Sequence, residues 1–270
     1  MSEGEGVSGR ASATEPVVEQ SLALSHVDFV QVAELLGEPV PRYLRASVAV
    51  YPRRRREEAL AASRQSLVDR AVVLPGDPPR VPLSVVRLTQ VVCRPALTVE
   101  LHRATGGRWA PPIRYAAAGD AAVEVLPEPD GVRLTPFHSD GLLPRLVWRA
   151  GVEKLPKPAG GPVNVQLSVL RSTDNVREAS AAAGVPEDAT AALASGDLTA
   201  VSVVARTGHG RTGAELAWAA SRGYWLVPAL LTPLADDRGA EPDDDATVQL
   251  APLDGAELIN ALYRSFTFDS

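Results

Sequence analysis

The sequence predicts an α+β fold made of two related halves that share one sheet. Three observations point there. The first is an internal repeat. Val132-Arg133-Leu134-Thr135-Pro136, then Ser139-Asp140-Gly141-Leu142-Leu143-Pro144-Arg145-Leu146-Val147, returns as Val248-Gln249-Leu250-Ala251-Pro252, then Asp254-Gly255-Ala256-Glu257-Leu258-Ile259-Asn260-Ala261-Leu262. The second is a shared order upstream of each copy: an alternating strand, a Thr-Gly turn (Thr105-Gly106-Gly107; Thr207-Gly208-His209-Gly210), another alternating run and a glycine turn. The third is even alternation of apolar and polar residues along the strands. It argues for an antiparallel or mixed sheet with one face on helices and the other partly free. Related halves of this kind pack around a pseudo-two-fold axis. A sheet shared in that way builds a surface more readily than a pocket.

The elements follow in order. Residues 1–19 are polar and glycine-rich, with almost no large apolar groups, and are expected to be disordered. Ser21 to Leu24 alternates as a short strand. A helix follows, capped by Ser25 or Asp28, with Phe29, Val32, Ala33 and Leu36 on one face and Gly37 as its C-terminal cap. Pro39 and Pro41 break the chain. An exposed helix spans 53–70, with Leu60 and Leu67 inward, and Pro75 to Pro82 forms a loop. Leu83 to Cys93 reads as a buried helix stopped by Pro95. Leu97, Val99 and Leu101 alternate in a strand, Gly106-Gly107 and Pro111-Pro112 bound a hairpin loop, and Ile113, Tyr115 and Ala117 form the return strand. Val123 to Val125 and Val132 to Leu134 flank the turn Pro129-Asp130-Gly131, and Ser139 caps a helix over 140–149.

Residues 151–162 link the first half (20–150) to the second (163–270). A strand is expected over Val163 to Leu170, a helix from Asp174 to Ala183, and a second helix over 186–195 with Gly196 as its cap. Strand 199–206, hairpin 207–213, strands near 214–220 and 223–230, strand 246–251 and helix 254–265 complete the copy. Asp236 to Asp245 is an acidic insertion expected to be mobile and solvated.

Composition narrows the function. The chain has 270 residues, enough for a substantial core, and aromatics are 5%, so Ala, Val and Leu must fill it. The net charge of −6 gives no global field toward nucleic acid or anionic lipid. Cys93 is the single cysteine, so no internal disulfide forms and no Cys/His ligand set exists. No signal pattern and no apolar run near 18 residues occurs. The chain reads as soluble and cytoplasmic.

The motifs for chemistry are weak. Gly208-His209-Gly210-Arg211-Thr212-Gly213 matches G-x-G-x-x-G, but that motif must open a helix facing the phosphates, and the residues that follow alternate like a strand. The alternative function is therefore a nucleotide- or phosphate-ligand-binding enzyme using Gly208 to Gly213. The same run is similar to the phosphate loop of cysteine-dependent phosphatases, yet Ala205 stands where the thiolate would be. His26, His102, His138 and His209 have no helical i, i+4 partner for a metal. Arg53 to Arg56 is followed at once by Glu57 and Glu58, which suits a solvated helix start. No catalytic residue, metal or cofactor is expected. Trp109, Trp218, Tyr224 and Trp225 are the aromatics that could anchor a contact, with core packing as the competing role for Trp218 and Trp225.

Several stretches taken together resemble the EspG family, cytosolic chaperones of type VII (ESX) secretion in actinobacteria. They are Phe29-Val30-Gln31-Val32-Ala33-Glu34-Leu35-Leu36-Gly37; Cys93-Arg94-Pro95 with Leu97-Thr98-Val99-Glu100-Leu101; Gly119-Asp120-Ala121-Ala122-Val123 leading to Val132-Arg133-Leu134-Thr135-Pro136; and Gly223-Tyr224-Trp225-Leu226-Val227 with the Val248 strand and terminal helix. The resemblance spans most of 20–266. It implies a single pseudo-two-fold α+β domain whose central, mostly antiparallel sheet is flanked by helical bundles. It also implies a non-catalytic chaperone that binds the hydrophobic tip of a secreted client, either a PE–PPE-like heterodimer or a WxG-type protein. The chaperone itself would be a monomer or weak homodimer when unoccupied, with no nucleic-acid or membrane partner. By position, the family's contacts map to the loop from Thr105 to Pro112 (Arg108, Trp109), the sheet face (Arg206, His209, Arg211, Trp218) and the terminal helix (Leu262, Phe266).

Overall fold

The structure is a computed structural model and describes residues 20–49, 53–171, 176–207, 210–228, 233 and 246–267. The first half runs β1 (Leu22–Ser25), α1 (His26–Leu35), α2 (Arg42–Ala49), α3 (Arg53–Asp69), α4 (Leu83–Cys93), β2 (Leu97–Thr105), β3 (Arg108–Trp109), β4 (Ile113–Ala118), β5 (Ala121–Glu128), β6 (Gly131–His138) and α5 (Leu142–Ala150). The second runs β7 (Val163–Gln166), α6 (Leu167–Arg171), α7 (Val176–Ala182), α8 (Glu187–Ser195), β8 (Leu198–Thr207), β9 (Gly210–Ala220), β10 (Tyr224–Val227), β11 (Thr247–Leu253) and α9 (Gly255–Arg264).

One antiparallel sheet contains all the described strands, in the order β1-β6-β5-β4-β2-β8-β9-β10-β11-β7, with β3 beside β2. Counted outward from the central β2·β8 pair, each half repeats one topology. Successive hairpins lead outward, and the first strand of the half returns to the edge (β1 beside β6, β7 beside β11). The repeat seen in the sequence falls on β6 and β11 and on the helices after them, α5 and α9.

Strand period two divides the core. Ala116, Val123, Val125 and Leu134 share a face with the packed side chains of α1, α3 and α4. Ala200, Ala217, Ala219, Trp225 and Val227 occupy the same face in the second half, against α6 and α8. This is the bundle face. The opposite face carries Val99, Leu101, Tyr115, Phe137, Val201, Val203, Trp218 and Tyr224, covered by Leu142 and Leu146 of α5 and Leu258 and Leu262 of α9.

Local chemistry fixes several ends. Ser25 and Asp28 form a capping box at α1, and Asp254 and Glu257 form another at α9. Gly196 ends α8 at φ 68°, and a Cβ there would sit 2.3 Å from the Gly107 amide nitrogen, so both backbone sign and space demand glycine. The linker is strapped down: the Glu153 amide donates to the Tyr224 hydroxyl at 2.6 Å, and Gly255 N donates to Leu155 O.

Four expectations need correction. Helix α2 starts directly after Pro41, whose carbonyl accepts from the Leu44 and Arg45 amides; proline there opens a helix rather than breaking the chain. The expected strand over 163–170 stops at Gln166 and continues as α6. Ser139 does not cap α5: a 3-10 turn over Ser139–Gly141 intervenes, where the His138 ring accepts from the Asp140 amide. The hairpin expected over 207–213 joins β8 to β9, but the strand expected from near 214 begins at Gly210, so Gly210 to Gly213 are paired with β8. Residues 1–19, Asp174, His209 and Asp236 to Asp245 lie outside the described residues.

A buried ion pair ties α5 to the sheet. Glu124 of β5, 2% exposed, accepts from Arg149 Nε and Nη2 at 2.9 and 3.1 Å, with Arg145 3.9 Å away. Removing the main partner strands a buried carboxylate. Arg149→Met is expected to cost about 3 kcal/mol in urea unfolding, less than a fully unpaired charge would because Arg145 remains. The double variant Arg149→Met/Glu124→Leu recovers most of that loss. Burial, assisted by Glu38, pushes the Cys93 thiol up to about 12. Cys93 is therefore expected to react with a thiol reagent at neutral pH only after denaturant unfolds the chain.

Candidate functional site

Between its two helical bundles the bundle face stays open. Read across strands by register, Arg114 of β4 lies opposite Glu100 of β2, Glu100 opposite Ser202 of β8, and Ser202 opposite Glu215 of β9. The next row toward one end of the sheet is Ala116, Thr98, Val204 and Gly213. Beyond it Arg206 and Arg211 face each other. From Thr98 and Glu100 through Ser202 and Val204 to Arg206, Arg211, Gly213 and Glu215, these positions are half-buried or exposed. They form a flat strip with a charged row, an apolar row and an arginine row.

The charged row is internally matched. Arg114 Nε donates to Glu100 Oε1 at 2.7 Å, and His102 Nε2 lies 3.3 Å from Glu100 Oε2. The Arg114 guanidinium stacks on the Tyr43 ring of α2 at 4.1 Å, which joins the first bundle to the floor. Burial pushes the Glu100 carboxyl up, but the hydrogen bonds and positive charges of His102 and Arg114 outweigh it and hold the acid at about 2.

The predicted contact residues do not form one patch. Arg108 and Trp109 pair back onto Thr105 and Ala104 through a turn with Gly106 at φ 55° and Gly107 at φ 76°. Arg108 is exposed and Trp109 half-buried. Gly107 N donates to Gly196 O and Gly106 N to the Asp197 carboxylate, both at 3.0 Å, so this tip is fastened to the second half. Arg206 sits at the opposite end of the central pair, beside Ala96, whose carbonyl accepts from its amide. The length of β2 separates the two groups by about 25 Å.

Trp218 and Leu262 are corrections. They are 1% and 0% exposed, in the core under α9, and offer no side chain to a partner. Trp218 also lies on the opposite face from Arg211, because seven residues separate them along one strand. Phe266 is half-buried and lines an apolar concavity of about 300 Å³ with Leu97, Leu143 and the exposed Tyr263. It shares an end of the sheet with Arg206 but not a face. Sequence reasoning missed Glu100, Arg114 and Tyr43. Glu100 was read only as the polar partner in an alternating strand, and Arg114 and Tyr43 gave no separate signal.

The glycine run does not build a dinucleotide site. Gly210 to Gly213 lie within antiparallel β9, and a turn and β10 follow it, so among the described residues the run opens no helix. Among the described residues there is no group of three or more His, Cys, Asp or Glu side chains placed to hold a metal ion. No described helix is long and apolar enough to cross a membrane.

This arrangement defines a class: a pseudo-two-fold α+β platform with a flat open strip. No family model and no curated protein matches the chain. Among solved structures it is similar to the Mycobacterium tuberculosis type VII secretion system chaperone EspG5, determined in complex with a PE25-PPE41 dimer. The TM-score is 0.61 at 11% identity, and the match covers 93% of this chain and 98% of that one. Over that span the chain has the fold of EspG5.

A pH dependence follows from Glu100. Its acid lies below its ordinary 4.5 in the folded chain, so its contribution to stability is complete above about pH 4.5 and disappears as pH falls toward 2. Glu100→Gln is expected to flatten the fall in Tm through that window while leaving the Tm slope above pH 5 unchanged.

Proposed function

We propose that the protein is a non-catalytic cytoplasmic chaperone for a type VII secreted client, a PE–PPE-like heterodimer or a WxG-type protein. The observation that carries this is the near-complete two-way coverage by the fold of EspG5, a chaperone solved with a PE25-PPE41 dimer. The open strip supplies a physical route. A client with an exposed apolar end self-associates, and covering that end with a complementary surface removes it from water. An interface of about 800 Å² per partner is the usual scale. On this reading Arg206 and Arg211 bound the strip at one end on the bundle face, while Arg108 and Trp109 at the other end and Phe266 on the opposite face would be separate contacts. No bond is made or broken in this process, and release at the secretion machinery calls for moderate affinity.

Co-expression of the chain with the small secreted proteins encoded beside its gene, followed by affinity capture and gel filtration, tests the reading. A soluble complex is expected, with the client aggregating when expressed alone. Clients that stay soluble alone and elute apart from the chain would remove the functional content of the proposal.

A further inference from the structure

Two arginines stand unmatched at the end of the strip. Register sets Arg206 and Arg211 directly opposite each other across β8 and β9, both exposed on the bundle face. Like charges in that relation oppose the pairing of their strands. Neither makes an ion pair with another described residue. Three arginines of the first half, by contrast, are matched: Arg114 with Glu100, Arg94 with Glu38, Arg70 with Asp28. The chain carries 33 acidic against 27 basic residues, so this local excess runs against its overall charge. One row inward the floor turns apolar and flat, with half-buried Val204 opposite exposed Gly213.

The spacing names the complement. Residues directly opposite in an antiparallel pair have Cα atoms about 5 Å apart. Side chains three or four residues apart on a helix stand about 5–6 Å apart at Cβ. Two carboxylates one helical turn apart therefore meet two cross-strand guanidinium groups one to one, as charge-assisted hydrogen bonds. We propose that Arg206 and Arg211 are the specificity-determining residues of the strip. They receive two acidic side chains one turn apart on a helix of the client, whose neighbouring apolar residue seats over Val204 and Gly213. This rests on the chaperone reading, since the helix belongs to the client. It adds a charge requirement that an apolar tip alone does not supply.

The test uses the full chain and its co-purified client, with affinity measured at two salt concentrations and Tm measured on the free chain. Arg206→Ser/Arg211→Ser is expected to weaken binding about tenfold or more at low salt, to flatten the salt dependence, and to leave the free Tm equal or higher. Arg211→Glu is expected to raise the free Tm by giving Arg206 a cross-strand partner, while abolishing binding. Equal affinity and salt slope in the serine variant overturn this inference and leave the chaperone reading standing. A lower free Tm in that variant also overturns it, because the arginines are then neutralised within the chain. No client binding by the unaltered chain removes the chaperone reading, and this inference with it.

Discussion

The antiparallel pairing of β2 with β8 is the constraint on which the rest of the molecule depends. Seven residue pairs, from Leu97 with Ala205 to Arg103 with Thr199, join two five-strand units into one sheet. The seam is dry on one side: Val99, Leu101, Val201 and Val203 are at most 1% exposed beneath α5 and α9. Because the seam pairs antiparallel strands of matched halves, it generates the pseudo-dyad. It also sends the two hairpins that continue β2 and β8 to opposite ends of the sheet. The outer edges left over, β1 and β7, have four residues each, which limits the unpaired backbone the long sheet presents.

The symmetry is broken at the two hairpins that leave the seam. The first hairpin folds back as β3 and is fastened to the Gly196–Asp197 turn. The hairpin of β8 and β9 ends in two opposed arginines with no such fastening among the described residues. Across the seam, Arg114 and Glu100 in the first half correspond to Glu215 and Ser202 in the second. The two halves thus place different residue types at equivalent positions of the strip. An even duplication would present the same surface twice; this one presents two different ends, about 25 Å apart.

Much of this was legible in the sequence where local chemistry decides the outcome. The Ser25 cap of α1, the Gly196 cap, the α4 stop at Pro95 and the alternation of β2 depend on residues within a few positions of each other. The equivalence of β6 and β11 followed from the repeat. The misses came from competing local signals. Val163 to Leu170 fits a strand period, yet Leu167 and Leu170 also stand at helical spacing, and the second bundle takes them. Gly210 and Gly213 read as loop residues until β8 supplies a partner strand. The Glu100–Arg114–Tyr43 cluster joins β2, β4 and α2, which the chain brings together only after folding. The separation of Trp218 from Arg211 was within reach of period two, since an odd spacing along one strand puts two residues on opposite faces.

Agreement with EspG5 over nearly the whole of both chains at 11% identity shows that the fold tolerates wide change in residue identity. In this chain the features that set it are patterns: apolar alternation at the seam, caps at helix ends, and glycine where backbones touch, as at Gly196. Residues on the strip answer to none of these demands. Val204, Arg206 and Arg211 could change class without disturbing β8 or β9, because their side chains leave the sheet on its uncovered face, and a Cβ added at Gly213 would come no nearer than 3.4 Å to its neighbours. In the protein core, by contrast, the ionisable groups are bound into structure: Glu124 by Arg149, and Asp28 by Ser63 and Arg70. At Val204, Arg206, Arg211 and Gly213, unlike at Glu100, side-chain chemistry can vary with little stability at stake, so on the chaperone reading they are where one client would be told from another.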